Sequence, residues 1–378
     1  METTDPPPRQ DQDRQGKSGR ATTSALPRAA PVVALFLLAL AALLVWRGAG
    51  EEPLPTTGPR ILFLSWDDEQ SQQLYATTPE GAPVIQLTDS EHGVTGYSVS
   101  PTNQALVYTA RRAGGGSNLW TMNRDGEDNR LLLDCAPKQC LNPVWAPDGR
   151  RLLYERWPVP AGAEPPRLWW LDTQTGETIR LFEDGEIRGV GAAFSPNGQW
   201  LAYVSPLSET IHIVNLNTAD NVLVPSNPGE QPVWAPEENV VIVSDVQMQG
   251  ERFSVYLYRV TVPEGTMTNL SGEGETDDGT PSWSPDGRWI AFGRKVPRAP
   301  VGRQIWLMRP DGSERTPLTN DQESNFSRPL WSPDGATLLF QRFQITEPES
   351  EPGIWLMDVD GGQLREVITP GFQPQWWP

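Results

Sequence analysis

The sequence predicts an all-β fold, a seven-bladed β-propeller of four-stranded blades. Three observations carry it: a recurring apolar-Ser/Ala-Pro-Asp/Asn-Gly motif, a period near 40–50 residues, and complementary half-blades at the two ends. Gly and Pro number 34 and 38, as a fold with many tight turns requires, and 16 Trp suggest a repeat that spends two per unit.

The best copies of the motif are Ser282-Trp-Ser-Pro-Asp-Gly-Arg-Trp-Ile-Ala-Phe292 and Leu330-Trp-Ser-Pro-Asp-Gly-Ala-Thr-Leu-Leu-Phe340. Val144–Tyr154 and Ala193–Tyr203 repeat it, and Tyr97–Pro101 and Val233–Pro236 are shorter copies. The motif prolines are Pro101, Pro147, Pro196, Pro236, Pro285 and Pro333, spaced by 46, 49, 40, 49 and 48 residues. The apolar residues before the proline end a strand A. Proline presets φ for the turn and glycine accepts a positive φ. The following run, such as Trp289–Phe292, is strand B. Runs such as Ile305–Met308 and Ile354–Met357 are strand C, and a second Asp-Gly turn leads to strand D. Trp145, Trp234, Trp283, Trp331 and Trp376 end A strands, while Trp120, Trp169, Trp306 and Trp355 lie on C strands. Their recurrence in each unit favours packing between blades over a carbohydrate platform at one place.

The ends set the blade count. Arg60–Ser65 reads as a B strand with no A strand before it, and Leu74–Thr77 and Val84–Thr88 supply C and D. The last residues, Phe372-Gln-Pro-Gln-Trp-Trp-Pro378, read as an A strand with nothing after it. Joined, they complete a seventh blade and close the ring, which removes exposed sheet edges. Residues 60–378 are therefore one propeller.

The motif resembles the Trp-Ser-Pro-Asp-Gly repeat of the TolB-like propellers, bacterial envelope proteins, over about 60–378. The resemblance implies a propeller of the cell envelope. That family's best-known member has six blades and a separate N-terminal domain, whereas this chain reads as seven blades and an anchor.

Residues 1–30 are polar and carry Arg9, Arg14, Lys17, Arg20 and Arg28, which predicts a disordered cytoplasmic tail. An uncharged run from Ala29 to Trp46 follows, long enough as a helix to cross a bilayer. Residues 31–47 are read as a transmembrane signal-anchor and 48–59 as a linker. Basic residues before the run keep the N-terminus inside and place the propeller outside the cytoplasm; a cleaved signal peptide would give the same location. Cys135 and Cys140 bracket one loop, where a disulfide suits an oxidising compartment; two unpaired buried thiols are the alternative.

The net charge of −18 excludes a phosphate-backbone partner, so no nucleic acid is expected. The two histidines, His92 and His212, stand 120 residues apart, and no Gly-x-Ser-x-Gly elbow, His-Glu-x-x-His pattern or phosphate-binding glycine loop occurs. The expectation is therefore no enzyme, no catalytic residues, no metal and no cofactor. The D–A loops share one propeller face and are rich in acids: Asp89, Glu91, Asp134, Glu183, Asp184, Glu186, Glu230, Glu273, Glu275, Asp277, Asp278, Asp321 and Glu323. They suggest an acidic channel mouth that draws a basic protein or peptide, with ordinary solvated loops in an acidic chain as the alternative, and Arg111, Arg112, Arg294, Lys295, Arg298 and Arg303 of the B–C loops share that face. The leading reading is a monomeric, membrane-anchored interaction module. The alternative is a sensor or enzyme holding a small ligand, carbohydrate or metal in the channel.

Overall fold

The computed structural model describes residues 54–378 apart from 56, 161–163, 183–188, 207, 227–229, 238, 250–251, 297–300 and 348. The expected cytoplasmic tail, the 31–47 anchor and most of the linker lie outside the described residues, as do Glu183, Asp184 and Glu186 of the acidic loops. Among the described residues the regular structure is entirely β, and no helix is long and apolar enough to cross a membrane.

The first sheet joins the ends of the sequence. It comprises β1 (Arg60–Trp66), β2 (Gln72–Thr77), β3 (Val84–Gln86) and β28 (Phe372–Trp377), in the order β28-β1-β2-β3. Ile61 pairs with Trp376 and Arg60 with Trp377, as the half-blade argument requires. The next sheets run in chain order: β4 (Val94–Val99), β5 (Ala105–Arg111), β6 (Ser117–Asn123), β7 (Arg130–Leu133); β8 (Gln139–Trp145), β9 (Arg151–Trp157), β10 (Arg167–Asp172), β11 (Thr178–Arg180); and β12 (Val190–Phe194), β13 (Trp200–Ser205), β14 (Thr210–Asn215), β15 (Asn221–Pro225).

The count then departs from the expected seven separate blades. Strands β16 (Val233–Trp234), β17 (Val240–Gln249), β18 (Arg252–Thr261), β19 (Met267–Asn269), β20 (Asp277–Trp283), β21 (Ile290–Lys295), β22 (Gln304–Met308) and β23 (Thr316–Pro317) form one eight-stranded sheet. The last sheet, β24 (Ser324–Trp331), β25 (Thr337–Gln344), β26 (Gly353–Asp358) and β27 (Arg365–Ile368), makes the fifth that is four-stranded and separate. The physical cause is local. The β17–β18 hairpin has ten residues on each arm, so β18 reaches the start of β20. The two meet in parallel at Val255 and Asp277, and the Val255 N–H donates to the Thr276 carbonyl at 2.8 Å.

Each part of the repeat has a visible task. In the A–B turns the Trp289 N–H donates to Ser284 Oγ at 2.9 Å, and that hydroxyl donates to Asp286 Oδ1 at 2.6 Å. Ser332, Asp334 and Thr337 reproduce the arrangement, and Ser195, Asn197 and Trp200 do so with Asn in place of Asp. The Ser284 hydroxyl, with the Arg288 N–H and charge, holds the Asp286 carboxyl below its ordinary range. Gly287 and Gly335 have φ of 69° and 72°, and a Cβ there would lie 3.5 and 3.6 Å from Pro236 and Pro285 of the preceding motif. Successive turns thus nest glycine on proline.

The A-strand tryptophans tie neighbouring sheets. Trp145, Trp234, Trp331 and Trp376 donate their indole N–H to Ser98, Ala193, Ser282 and Leu330 carbonyls at 3.2, 3.0, 3.0 and 3.4 Å, each on the preceding innermost strand. Trp283 Nε1, by contrast, is buried without a partner. The hydrophobic core lies between sheets; one cluster unites Leu62, Leu64 and Trp377 with Val94, Leu106 and Met122. Cys135 and Cys140 form a disulfide and pack with Val107, Leu119, Leu152, Tyr154 and Leu171.

Candidate binding face

The face carrying the D–A and B–C loops is built on a bulge in the innermost strands. Asn142, Thr280, Arg328 and Gln373 each precede a proline and have φ of 48°, 48°, 55° and 48°. The register shifts at each of them, so two residues oppose one and the ladder leaves an N–H unpaired. Side chains from the neighbouring element satisfy three of these donors. The Gln373 N–H donates to Gln341 Oε1 at 3.0 Å, and the Arg328 N–H to Thr280 Oγ1 at 3.3 Å. The Thr280 N–H donates to Glu230 Oε2. The Gly191 N–H, at an equivalent register shift, donates to Glu155 Oε1 at 2.8 Å.

Glu155 and Glu230 are thus structural acceptors. Glu155 is 1% exposed and also receives the Trp157 indole N–H at 2.8 Å. Burial pushes its carboxyl above the ordinary range, against the hydrogen bonds from Gly191, Trp157 and Asn142. Burial raises Glu230 likewise, opposed by Thr280 and the charges of Arg303 and Arg328.

The structure redistributes the acidic mouth expected from the loops. Asp278 is fully buried and gripped by Arg294, with Oδ1 2.7 Å from Nε and Oδ2 2.6 Å from Nη2. Asp277 pairs with Arg303 at 3.0 Å, Asp321 with Arg342 at 2.8 Å, and Asp134 with Arg112 at 3.5 Å. Burial pushes Asp321 up, but hydrogen bonds from the Ser324 hydroxyl, Glu323 N–H and Arg342 outweigh it and leave the carboxyl below its usual range. These acids hold loops to arginines in or beside the B–C hairpins. Asp89, Glu91, Glu273, Glu275 and Glu323 remain on the surface. The mouth is therefore a set of ion pairs with an exposed acidic fringe.

The β17–β18 hairpin adds a feature beyond the repeat. It is longer than any other B–C hairpin, whose arms have five to eight residues. Near its end Met248 and Phe253 are direct cross-strand partners, 63% and 66% exposed. The Tyr256 hydroxyl donates to the Gly274 carbonyl at 2.8 Å, which places the hairpin beside the loop bearing Glu273 and Glu275. The signal was available as two long β-rich runs meeting at Gly250.

The family model for the TolB β-propeller domain matches residues 167–376, more than half of the chain. The chain belongs to the TolB β-propeller family. As a TolB-type propeller it is similar to TolB from Acinetobacter baumannii, with a TM-score of 0.50 and 17% identity over 88% of this chain and 84% of that one. It is similar also to a puromycin-hydrolyzing peptidase of Mycobacterium tuberculosis, with a TM-score of 0.60 and 14% identity over 84% of this chain and 53% of that one. An uncharacterized peptidase, YuxL, of Bacillus subtilis is 24% identical over 190 residues, 40% of this chain. The chain spans 29% of that peptidase's length.

These relatives correct the expectation that the chain is not an enzyme. Sparse histidines and missing motifs supported it, yet propellers of this kind occur in peptidases, so the fold and its motifs give no ground for excluding catalysis.

Proposed function

We propose that this TolB-type propeller is a peptide- and protein-recognition module whose loop face receives a basic segment with an apolar anchor. The observation that carries the reading is the exposed Met248–Phe253 pair on a hairpin whose Tyr256 hydroxyl bonds Gly274, in the loop of the exposed acids Glu273 and Glu275. Exposed aromatic and methionine side chains supply contact area, and the flanking carboxylates select cationic partners and speed their encounter. The module works in an extracytoplasmic, oxidising compartment; the Cys135–Cys140 disulfide and the uncharged run 29–46 behind a basic tail support this, with the run as membrane anchor. We also read the eight-stranded sheet as two four-stranded blades touching at Val255 and Asp277, which makes seven around the ring.

The test places a photo-crosslinking amino acid at Phe253 of the full chain in its host. The expected product is a crosslink to a Lys- or Arg-rich segment, lost with E273K/E275K and weakened by high salt. Crosslinking that is unchanged by E273K/E275K, or directed to lipid, overturns the reading. A second reading follows from the similarity to peptidases: the propeller presents an extended peptide to a peptidase active site. Hydrolysis of unstructured peptides by the purified full chain, slowed by F253S, would support it.

A further inference from the structure

A second surface, independent of the loop-face reading, has the opposite charge. It lies on the β8–β11 sheet, on the side whose buried core (Leu152, Tyr154 and Leu171) packs against Val107 and Leu119 of the preceding sheet. Arg156 in β9 and Arg167 in β10 are direct cross-strand partners, and Arg180 in β11 is the partner of Trp169 in β10. Residues 167 and 169 share one side of a strand, so three guanidinium groups converge on one face. Like charges placed opposite each other destabilise a sheet.

No described carboxylate forms an ion pair with Arg156, Arg167 or Arg180, in a chain of net charge −18. The three arginines, Lys138 and Trp169 line a cavity of 410 Å³. Its one lining carboxylate among the described residues, Glu164, stands 3.0 Å from Lys138 Nζ. Trp169 holds two of the cations in place, with Arg156 and Arg180 4.8 and 5.5 Å from its ring centre. Arg156 Nε is buried and has no hydrogen-bond partner. A buried charged donor left unmet is costly, and an acceptor from outside the chain would relieve it.

We propose that this pocket binds an oxyanion of two or more negative charges. The planar forks of the three arginines fit phosphoryl or carboxylate oxygens bidentately, and the Trp169 stack orders two of them before the ligand arrives. The site differs from the loop face in ligand sign, so either can fail without the other.

Titration calorimetry of the full chain at low ionic strength, with inorganic pyrophosphate and with citrate as probes, tests the site. Saturable binding of at least one is expected, at least tenfold weaker in R167Q/R180Q and weakened by salt. Preference for pyrophosphate or citrate distinguishes phosphoryl from carboxylate recognition. The anion should raise the melting temperature of the wild type and not of the variant. Without anion, R167Q/R180Q should melt no lower than wild type, because two repelling charges have gone; a role confined to structure predicts a fall. No saturable binding of either probe overturns the proposal, as does equal binding by the variant. Binding that appears only in E183Q/D184N/E186Q also overturns it, by showing that this loop's own acids fill the site.

Discussion

Replacing Trp377 tests whether the meeting of the chain's two ends carries the stability of the ring. The side chain is fully buried, and its indole N–H donates to the Asn103 carbonyl of the next sheet's turn at 3.0 Å. Arg124 and Arg60 stand 5.3 and 5.9 Å from its ring. Removing such a side chain costs about 3–5 kcal/mol in lost contacts and cavity. The orphaned carbonyl and two cation–π contacts add about 1–2 kcal/mol. These effects share one residue and do not fully add, so W377A should lose about 5 kcal/mol. That is a large part of the roughly 5–15 kcal/mol that folded domains possess. W377F keeps most of the ring and should lose about 1–2 kcal/mol, the worth of the indole donor and the volume difference. Urea unfolding of the full chain, followed by circular dichroism, reads both as shifts in midpoint at constant slope. A loss below about 1 kcal/mol for W377A would refute the reasoning. Equal losses for W377A and W377F would show that the hydrogen bond, and not the packing, matters.

Asp278 and its surface neighbours should separate cleanly. D278A strands the Arg294 charge and should cost about 3–5 kcal/mol, largely recovered in D278A/R294M. E273K/E275K should change the unfolding midpoint by no more than about 0.5 kcal/mol; a comparable effect for both would refute the assignment of Asp278 as a structural partner. Glu155 supplies a pH test. Its folded carboxyl binds a proton more tightly than the unfolded one, so wild type loses stability relative to E155Q as pH rises from the ordinary glutamate range through the raised folded value. Midpoints of both proteins between pH 4 and 8 read the difference, and a wild-type stability that stays level with that of E155Q or rises relative to it with increasing pH contradicts the burial argument.

What a residue's near neighbours decide could be read from the sequence alone. Ser-Pro-Asp-Gly is a turn because proline presets φ, glycine takes a positive φ, and serine and aspartate bond backbone N–H groups within five residues. The repeat of that turn, with Trp before it, predicted four-stranded units, and the half-blades at the two ends predicted that the C-terminal Trp-Trp-Pro segment lies beside Ile61–Ser65, as the strand pairing has it. The link between Cys135 and Cys140 was legible because only four residues stand between them.

The tertiary structure decided what depends on distant segments meeting. In composition Asp278 and Glu273 are both loop acids, but only Asp278 lies against Arg294 of the next strand, and only the fold makes one a buried anchor and the other a surface charge. The joining of β18 to β20 rests on one parallel contact across a loop, which no periodicity announces. Arg156, Arg167 and Arg180 are scattered over 25 residues of sequence and converge only because antiparallel register sets them on one face. Short-range turn chemistry is encoded in spacing, whereas ion pairs, exposed tips and charge clusters depend on which strands become neighbours.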